Sequence, residues 1–513
     1  MSLSVGALAL APSGEAVASG FQSTERGVRP LGRGGAFVAG ADDLGAVSYN
    51  PAGIFDAGNG LLVDASLMFW GSEYTRRALL RQVDPNTGET VATYEQTFPT
   101  VNGSIPILPI PTIIGSFSVH PDVRIALGMY AWNAAPTTAT YPDALSDQPA
   151  PQRYALLSLD GSLLAVTGAW VAWRATPELR LGAGLEVLIG NFRSRQVLSG
   201  CLPDRFFCAP EDPEWDMLTE ISAAPIIAPS GSLGAIWEFS PNWRLGGSFH
   251  LPYWVVAPAT VQARLPSAPV FRNATLSGED ATIEFQLPWQ LRLGLEAREL
   301  APGLRVEVSG QYDHWAIHDA ISVTPENIAL QNLPGFPRDF YLPEISLPRN
   351  FQSTGAVRAG AELALAAGDD LVITPRAGLS FETSAVPADS LSVLTLDAAK
   401  VVPSVGASVG FGRFRFDAVF AYVFSPSVDV DPADAKLGQV VPIQANPSEN
   451  PTTINGGLYS WSTAILGVGV AYSFDDPAPP PAQAAEPVDD DRAAERVDEV
   501  EGAAEGEASE PAP

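Results

Sequence analysis

Several features that are common in proteins are scarce in this chain of 513 residues. No stretch approaches the roughly 18 consecutive apolar residues that a membrane-spanning helix requires. Lysine and arginine together number 29, against 58 acidic residues, so no basic surface is present that could neutralise nucleic-acid phosphates. These scarcities argue against a helical membrane protein and against a nucleic-acid partner.

The residues of metal and cofactor chemistry are also few, with four histidines and two cysteines. His314 and His318 lie beside Asp313 and Asp319, but a strand-to-loop position does not set the tetrahedral geometry of a zinc site. The chain has no Gly-x-x-x-x-Gly-Lys phosphate loop and no Gly-x-Ser-x-Gly elbow. We therefore expect no metal, no cofactor and no enzymatic activity.

Glycine, proline and aromatic residues are abundant by contrast. Glycine and proline number 46 each, Trp, Tyr and Phe number 11, 12 and 23, and charged residues make up only 17% of the chain. An apolar, aromatic and glycine-rich chain without membrane helices is typical of a transmembrane β-barrel. A large soluble β protein is the alternative that composition leaves open.

Strict alternation of residue types runs through most of the chain. Between Phe414 and Phe424 the aromatic residues occupy one face of a strand, while Arg415 and Asp417 occupy the other. The same alternation occurs in Leu179–Ile189, Leu291–Arg298 and Leu304–Tyr312. A broad apolar face opposite a face of mixed charge, glycine and serine indicates lipid outside and a polar lumen inside. Because unpaired strand edges are costly in lipid, the sheet is expected to close.

The connections between alternating runs give the number of strands. Short turns rich in Pro, Gly or Asp are predicted at six places, namely 120–122, 176–178, 240–242, 301–303, 368–370 and 411–413. Long loops are predicted at seven, namely 72–102, 138–155, 196–227, 266–280, 319–350, 387–396 and 425–459. Thirteen connections join fourteen strands. Barrels of this kind place short turns in the periplasm and long loops outside.

The ends of the chain have distinct compositions. Residues 1–18 resemble a signal peptide that lacks a basic start, with Ala16-Val17-Ala18 as the cleavage site. Residues 475–513 hold thirteen acids and two arginines, a net −11, and are expected to be a disordered periplasmic tail that is a spacer or contacts a basic periplasmic partner. Cys201 and Cys208 are expected to form a local disulfide in an oxidising compartment.

One stretch, residues 27–56, does not read as a strand. It is rich in small residues and contains Gly34, Gly35, Asp42 and Asp43, followed by the bend Asn50-Pro51-Ala52. With Gly20-Phe21-Gln22 and Leu31-Gly32-Arg33-Gly34-Gly35-Ala36-Phe37 it closely resembles the N-terminal hatch of the FadL/OmpP1/TodX outer-membrane transporters. The resemblance continues through Trp315, Arg376-Ala377-Gly378, Ala421–Phe424 and Asn455-Gly456-Gly457, and so spans Gly20 to Phe474.

The resemblance implies a fourteen-stranded antiparallel barrel in the outer membrane of a Gram-negative bacterium. It assigns residues 19–58 to a hatch and residues 59–474 to the barrel. The last strand, Ser460–Phe474, ends in an aromatic residue and would be recognised by the barrel assembly machinery. Members take up long-chain fatty acids, hydrocarbons or other hydrophobic molecules and release them sideways into membrane lipid beside a kinked strand. The sideways route also has a physical reason, because a path from an apolar pocket into lipid avoids exposing an apolar ligand to a water-filled pore. Uptake is expected to be passive, because the sequence shows no phosphate loop as an energy source.

Candidate site residues follow from these two sources. The bend at Asn50-Pro51-Ala52 either gates passage or is a structural turn. Asp42 and Asp43 are expected to pair with lumen arginines, and Gly34 and Gly35 to permit tight packing. The candidate lumen partners are Arg292, Arg298 and Arg305, which together with Phe21 are also the candidate ligand contacts, although these arginines equally suit lumen carboxylates such as Glu296 and Glu307.

Two further features are assigned to ligand movement. If the family pattern holds, the third strand, Val123–Ala135, is the kinked one, with Asn133 and Pro136 at the lateral opening. The segments Leu202–Trp215 and Phe271–Leu276 offer apolar residues for capture at the outer loops.

Two other functions remain open at this stage. A general porin would conduct ions through an open lumen, and a surface adhesin or assembly protein would not transport at all.

Overall fold

The computed structural model describes residues 26–84, 86–107, 109–131, 139–201, 208–367, 371–443 and 452–475. Fourteen antiparallel strands form the wall. In chain order they are β1 (Gly60–Val83), β2 (Pro109–His120), β3 (Val123–Ala131), β4 (Leu163–Arg174), β5 (Leu179–Ser199), β6 (Asp216–Ser240), β7 (Trp243–His250), β8 (Gln290–Arg298), β9 (Leu304–Asp313), β10 (Thr354–Leu363), β11 (Leu371–Glu382), β12 (Lys400–Phe411), β13 (Phe414–Val423) and β14 (Gly457–Ser473).

The sheet closes because its first and last strands pair. β1 and β14 are in register from Gly60↔Ser473 to Arg76↔Gly457, so neither is left as an open edge in lipid. The prediction of a closed fourteen-stranded barrel is confirmed.

The wall has the expected two faces. On β13, Phe414, Phe416 and Phe420 are 46%, 52% and 44% exposed, whereas Asp417 between them is 4% exposed. The apolar side chains form the lipid-facing band, and the polar ones turn into the lumen. Period-two alternation therefore predicts the orientation of these strands correctly.

The predicted loop boundaries are wrong in several places, because the strands continue beyond the membrane. β1 runs to Val83 and pairs with Thr90–Thr97, while β5 runs to Ser199 and β6 starts at Asp216. Above the membrane the strands still alternate between a buried and a more exposed face, but the outward face carries polar residues such as Glu220 and Ser222. Without the broad apolar face that lipid imposes, the sequence there predicts a loop. Further strands at this end are Val101–Ser104, Tyr253–Arg264, Thr275–Ser277, Asp280–Leu287, Ala320–Pro325, Ala329–Gln331, Asp339–Tyr341, Ile345–Pro348 and Val428–Val430, and the short Leu365–Ala366 lies at the opposite end.

Residues 26–58, here called the N-terminal segment, lie inside the barrel. The segment contains α1 (Val28–Gly32), α2 (Ile54–Ala57) and two 3-10 turns, Leu44–Ser48 and Pro51–Gly53. Val28 and Leu31 pack with inward residues of the wall such as Val419 and Ile465. Among the described residues, no helix has the length and apolarity to cross a membrane.

Short 3-10 turns occur in the outer loops as well. They are Pro213–Trp215, Pro269–Phe271, Trp315–Ile317 and Ala388–Ser390.

Candidate functional site

The side chain of Glu307 on β9 anchors the N-terminal segment by binding backbone amides of that segment. The amides of Val38 and Ala39 donate to Glu307 Oε1 at 2.6 and 3.1 Å, and the amide of Gly40 donates to Oε2 at 2.8 Å. Three N–H donors on one buried carboxylate stabilise its charge and fix the chain that supplies them.

Arg33 supplies the charge partner for this carboxylate. It is completely buried, and its Nη2 lies 3.1 Å from Glu296 and 3.3 Å from Glu307. Glu296 and Glu307 are directly opposite each other on β8 and β9. Two facing carboxylates would repel each other. The guanidinium of Arg33 lies between them and pairs with both, which offsets the repulsion and attaches the segment to the wall.

Asp42 and Asp43 also pair with arginines, as the sequence predicts. Asp42 lies 2.6 Å from both Arg29 and Arg305, and Asp43 lies 2.8 Å from Arg415. Asp43 additionally caps the turn Leu44–Ser48, since its Oδ1 accepts from the Gly45 amide at 2.8 Å. Of the three arginines proposed as partners, the structure brings only Arg305 to these carboxylates.

The bend at Asn50-Pro51-Ala52 is tied to both the segment and the wall. Asn50 Nδ2 donates to the carbonyls of Val38 at 2.8 Å and of Ala235 on β6 at 3.0 Å, while its Oδ1 accepts from the Ala52 amide at 3.2 Å. Asn50 is completely buried. Both the NH₂ group and the oxygen of the Asn50 side chain are hydrogen-bonded, and these bonds fix the bend against the segment and the wall.

Glycines of the wall make room for the segment. Three pairs stand directly opposite each other on neighbouring strands, and we call these six residues the glycine belt. They are Gly182 and Gly234, Gly246 and Gly294, and Gly360 and Gly378.

A side chain at any belt position would collide with the segment. A Cβ at Gly234 would lie 2.1 Å from Asn50 Oδ1, one at Gly246 would lie 2.5 Å from the Val38 carbonyl, and one at Gly378 would lie 2.0 Å from the Gly34 amide. Gly34 itself has a φ of +61°, which favours glycine. Gly35, with a φ of +75°, follows it in the same turn.

The other two candidate arginines occupy different places. Arg292 donates to Gln311, Gln290 and the Ser48 carbonyl at 2.8, 2.7 and 3.1 Å. Arg298 lies at the end of the short turns, 3.8 Å from Glu238. The structure therefore does not bring Arg292, Arg298 and Arg305 together around one cavity.

A cavity of about 790 Å³ lies among the outer loops, at the end opposite the short turns. Its apolar lining includes Trp215, Leu347 and Val440, and its basic lining includes Arg81 and Arg349. An apolar crevice adjoins it at Ile345 and contains Thr219 as its one polar residue. A mixed cavity beside an apolar crevice suits an amphipathic or apolar ligand.

Arg349 is the unusual charge in this cavity. It is 6% exposed and its Nε has no hydrogen-bond partner. Burial lowers the pKa of Arg349 to about 10, and no carboxylate in the described part of the chain offsets this effect. Its neighbour His318 is neutral, because burial lowers the pKa of the imidazole to about 3, with a smaller decrease from the Arg349 charge. Arg349 is thus a buried cation that forms no ion pair within the described residues, while Glu211, Asp212 and Glu344 line other parts of the same cavity. Sequence patterns do not single it out.

The remaining predicted residues fall in three groups. The first group lies outside the described residues and consists of Phe21, Asn133, Pro136 and residues 202–207 of the capture segment Leu202–Trp215. Cys201 and Cys208 are joined as a disulfide at the rim of the cavity. In Phe271–Leu276, Phe271 is buried in a small loop core with Leu330 and Leu333, whereas Leu276 lines the apolar crevice.

The two histidines of the strand top bind different partners. His318 Nδ1 lies 2.6 Å from the Gln286 carbonyl, whereas His314 Nδ1 lies 2.9 Å from Ser353 Oγ. In the described ranges no group of three metal-ligating side chains converges.

Comparisons with known proteins place this geometry in context. The family model described as outer membrane protein transport protein (OMPP1/FadL/TodX) matches residues 9–474. A search of curated proteins finds no match.

Solved structures of similar fold include a FadL homologue of Pseudomonas aeruginosa, 12% identical with a TM-score of 0.64 over 89% of this chain and 100% of that one. The toluene transporter TodX of P. putida is 15% identical with a TM-score of 0.57 over 89% and 100% of the two chains. The toluene transporter TbuX of Ralstonia pickettii is 15% identical with a TM-score of 0.52 over 88% and 99%. With its closed barrel and a family match over most of its length, the chain belongs to the OMPP1/FadL/TodX family of outer-membrane transport proteins.

Proposed function

We propose that this protein is a passive channel for long-chain fatty acids or hydrocarbons, with the N-terminal segment as its gate. The observation that carries the proposal is the combination of an outer cavity, an adjoining apolar crevice and a lumen occupied by residues 26–58. A ligand that leaves water for apolar surface gains about 25 cal/mol per Å² buried. Such a ligand can enter the cavity without an energy source.

The packing of the segment argues against a general porin. Porins need a wet lumen, whereas here Phe37, Ala46 and Ile54 of the segment are completely or almost completely buried inside the barrel. No observation favours a surface adhesin.

Arg349 supports an acidic ligand over a neutral hydrocarbon. A carboxylate bound there would receive charge-assisted hydrogen bonds and would supply the counter-ion that the buried guanidinium lacks. The acyl chain would then lie toward the apolar side chains of the crevice beyond Ile345, which has a volume of about 10 Å³ and would have to widen to admit it. The proposed primary ligand is therefore a long-chain fatty acid.

Binding of labelled oleate and of hexadecane to the purified protein tests this assignment. Arg349→Gln is expected to weaken oleate binding at least tenfold, since a hydrogen bond to a charged group is worth about 1.5–3 kcal/mol, and to leave hexadecane binding unchanged. The matched control is Arg81→Gln, which removes an exposed arginine from the same cavity. Equal loss of both ligands, or no loss of oleate, would contradict a carboxylate site at Arg349.

The remaining partners are proposed on the same basis. The lipid-facing band implies contact with outer-membrane lipid. β14, followed directly by the exposed aromatic Phe474, would be the strand that the barrel assembly machinery recognises. The acidic stretch from 476 onward, which lies outside the described residues, remains a proposed spacer or contact for a basic periplasmic partner.

A further inference from the structure

Glu211, in the connection between β5 and β6, forms a buried ion pair with Arg76 of β1. Arg76 is completely buried. Its Nη1 donates to Glu211 Oε2 at 2.7 Å, and its Nη2 donates to the other carboxylate oxygen, Oε1. Two parallel hydrogen bonds from one guanidinium to one carboxylate are also the arrangement in which arginine binds the carboxylates of ligands. The pair therefore has the geometry of a ligand site that a side chain of the protein itself occupies.

The other contacts of the Arg76 guanidinium are uncharged. Nη1 also donates to the Pro151 carbonyl at 3.0 Å and Nη2 to the Thr453 carbonyl at 3.2 Å, and the guanidinium lies 5.0 Å from the centre of the Phe98 ring. Among the described residues, Glu211 is the one carboxylate that pairs with it. Loss of Glu211 without replacement would leave a buried, uncompensated cation. Whatever displaces Glu211 must therefore bring a negative charge.

The backbone at Glu211 has a conformation that glutamate rarely adopts. Its φ is +56°, in the left-handed region, where a residue with a Cβ is strained. Arg153 fixes this conformation by donating from Nη2 to the Glu211 carbonyl at 2.8 Å, and Arg153 is itself paired with Asp216 at 2.7 Å. Strained residues of this kind persist only where the surrounding contacts compensate for the strain. Backbone strain at Glu211 therefore offsets part of the ion pair and favours exchange of the carboxylate.

Glu211 separates Arg76 from the outer cavity. Glu211 lines this cavity of about 790 Å³, as does Ile454, the neighbour of Thr453 in the chain, whereas Arg76 does not. Because Arg76 is completely buried and bonded to Glu211, it lies behind that side chain. An acidic ligand in the cavity therefore meets the carboxylate of Glu211 first, and it contacts the guanidinium of Arg76 only after Glu211 has moved aside.

We propose that Glu211 is an autoinhibitory carboxylate, which occupies a carboxylate site at Arg76 until an acidic ligand from the cavity displaces it. The inference rests on the proposed function, because the displacing ligand is the fatty acid. Exchange of one carboxylate for another keeps the buried guanidinium paired, so the exchange avoids the large cost of an unpaired buried charge. A neutral hydrocarbon brings no charge and leaves the pair of Arg76 and Glu211 intact.

The carboxylate of Glu211 lowers the apparent affinity of the protein for acidic ligands. A site that is free for only a fraction of the time has its affinity reduced by that fraction. Because Glu211 belongs to the same chain as Arg76, its effective concentration at the site is high, on the order of millimolar or above. A fatty acid competes with it because burial of the apolar chain concentrates the ligand in the cavity. The contact therefore favours acids with a long apolar chain over small carboxylates.

Binding of labelled oleate and of oleyl alcohol, its uncharged counterpart, to the purified full-length protein tests the proposal. Glu211→Gln keeps the size of the side chain and removes its charge. We expect this variant to bind oleate at least about fivefold more tightly and oleyl alcohol as before. Asp212→Asn is the matched control and is expected to bind oleate like the wild type. It removes a negative charge from the lining of the same cavity, and asparagine retains the oxygen that caps the turn Pro213–Trp215. The double variant Arg76→Gln with Glu211→Gln is expected to lose the gain.

The outcomes separate the inhibitory contact from the transport function. An oleate affinity of Glu211→Gln equal to or below that of the wild type, an equal gain in Asp212→Asn, or a gain that persists in the double variant would overturn the inhibitory contact while leaving fatty-acid binding intact. Absence of oleate binding from the wild-type chain and from every variant would overturn the proposed function and the inhibitory contact with it. Should Glu211→Gln fail to fold, Glu211→Asp keeps the charge on a side chain one methylene shorter. It is expected to raise the oleate affinity as well, and an unchanged affinity would overturn the contact.

Discussion

At the contact between the N-terminal segment and the wall, the lack of a side chain matters as much as the side chains that are present. The glycine belt lets the backbone of the N-terminal segment approach the wall to within the space of a methyl group. Asn50 then uses that proximity to reach the Ala235 carbonyl on β6. The attachment therefore depends on a missing side chain and a matched amide together.

Gly234→Ala tests this dependence. Because its Cβ would lie 2.1 Å from Asn50 Oδ1, we expect displacement of the bend and a loss of about 1–3 kcal/mol, typical of overpacking. Heat-modifiable migration of the folded barrel measures the loss. Gly410→Ala is the control, since its Cβ would meet nothing closer than 3.7 Å; equal midpoints for the two variants would contradict the role of the belt.

Asp397 in the outer loops makes stability depend on pH. Burial raises the pKa of its carboxyl from 3.8 to about 8, in spite of the nearby Lys400 ammonium. Between these values the folded chain holds a proton that the unfolded chain has released, so stability falls as the pH rises through this window, by up to about 1.4 kcal/mol per pH unit.

Asp397→Asn is therefore expected to flatten the decline of the unfolding midpoint between pH 5 and pH 8. Exposed Asp431→Asn serves as the control for the loss of one negative charge. A variant at 397 that follows the wild-type curve would show that the carboxyl does not titrate in this range.

At the scale of elements, the N-terminal segment is joined to the wall by charges rather than by strand pairing. Arg29, Arg33 and Asp42 contribute ion pairs to Glu362, Glu296 and Arg305. Buried ion pairs stabilise a bound arrangement weakly but destabilise it strongly when one partner is removed. Such a contact suits the gate proposed for this segment, which would be held firmly and yet shift.

Asp42→Asn combined with Asp43→Asn is expected to loosen the segment without unfolding the barrel. Arg29, Arg305 and Arg415 would lose carboxylate partners, and we expect a several-fold increase in ion conductance of the protein in planar bilayers. Asp429→Asn, which breaks an exposed pair with Arg77, is the control. Conductance equal to that of the wild type would count against a charge-held gate.

Sequence reasoning succeeded for elements with a local signal and failed for those without one. The alternation at Phe414–Phe424 and the bend at Asn50-Pro51-Ala52 can be read from adjacent residues. The contact of Glu307 with Val38 joins residues 269 apart, and nothing near either residue announces it. The opposition of Gly182 and Gly234 depends on the register of β5 and β6, which no local pattern gives.

The outer part of the molecule was the least predictable. The extended strands above the membrane alternate in burial but lack the broad apolar face that lipid imposes, so their sequence predicts loops. Arg349 carries no motif, and its importance comes from surroundings that only the folded chain assembles.

The whole molecule is a closed barrel with an apolar exterior, an occupied lumen and a mixed outer cavity. The function proposed for it is passive uptake of hydrophobic molecules. The most direct test of this function is the initial rate of radiolabelled oleate entry into Gram-negative cells that lack their own fatty-acid channel. With this protein in the outer membrane, we expect the oleate rate to be at least several-fold above that of cells with an empty vector. The rate of entry of hydrophilic sugars of similar mass is expected not to increase. Equal oleate rates with and without the protein, or a sugar rate that rises with it, would contradict the account.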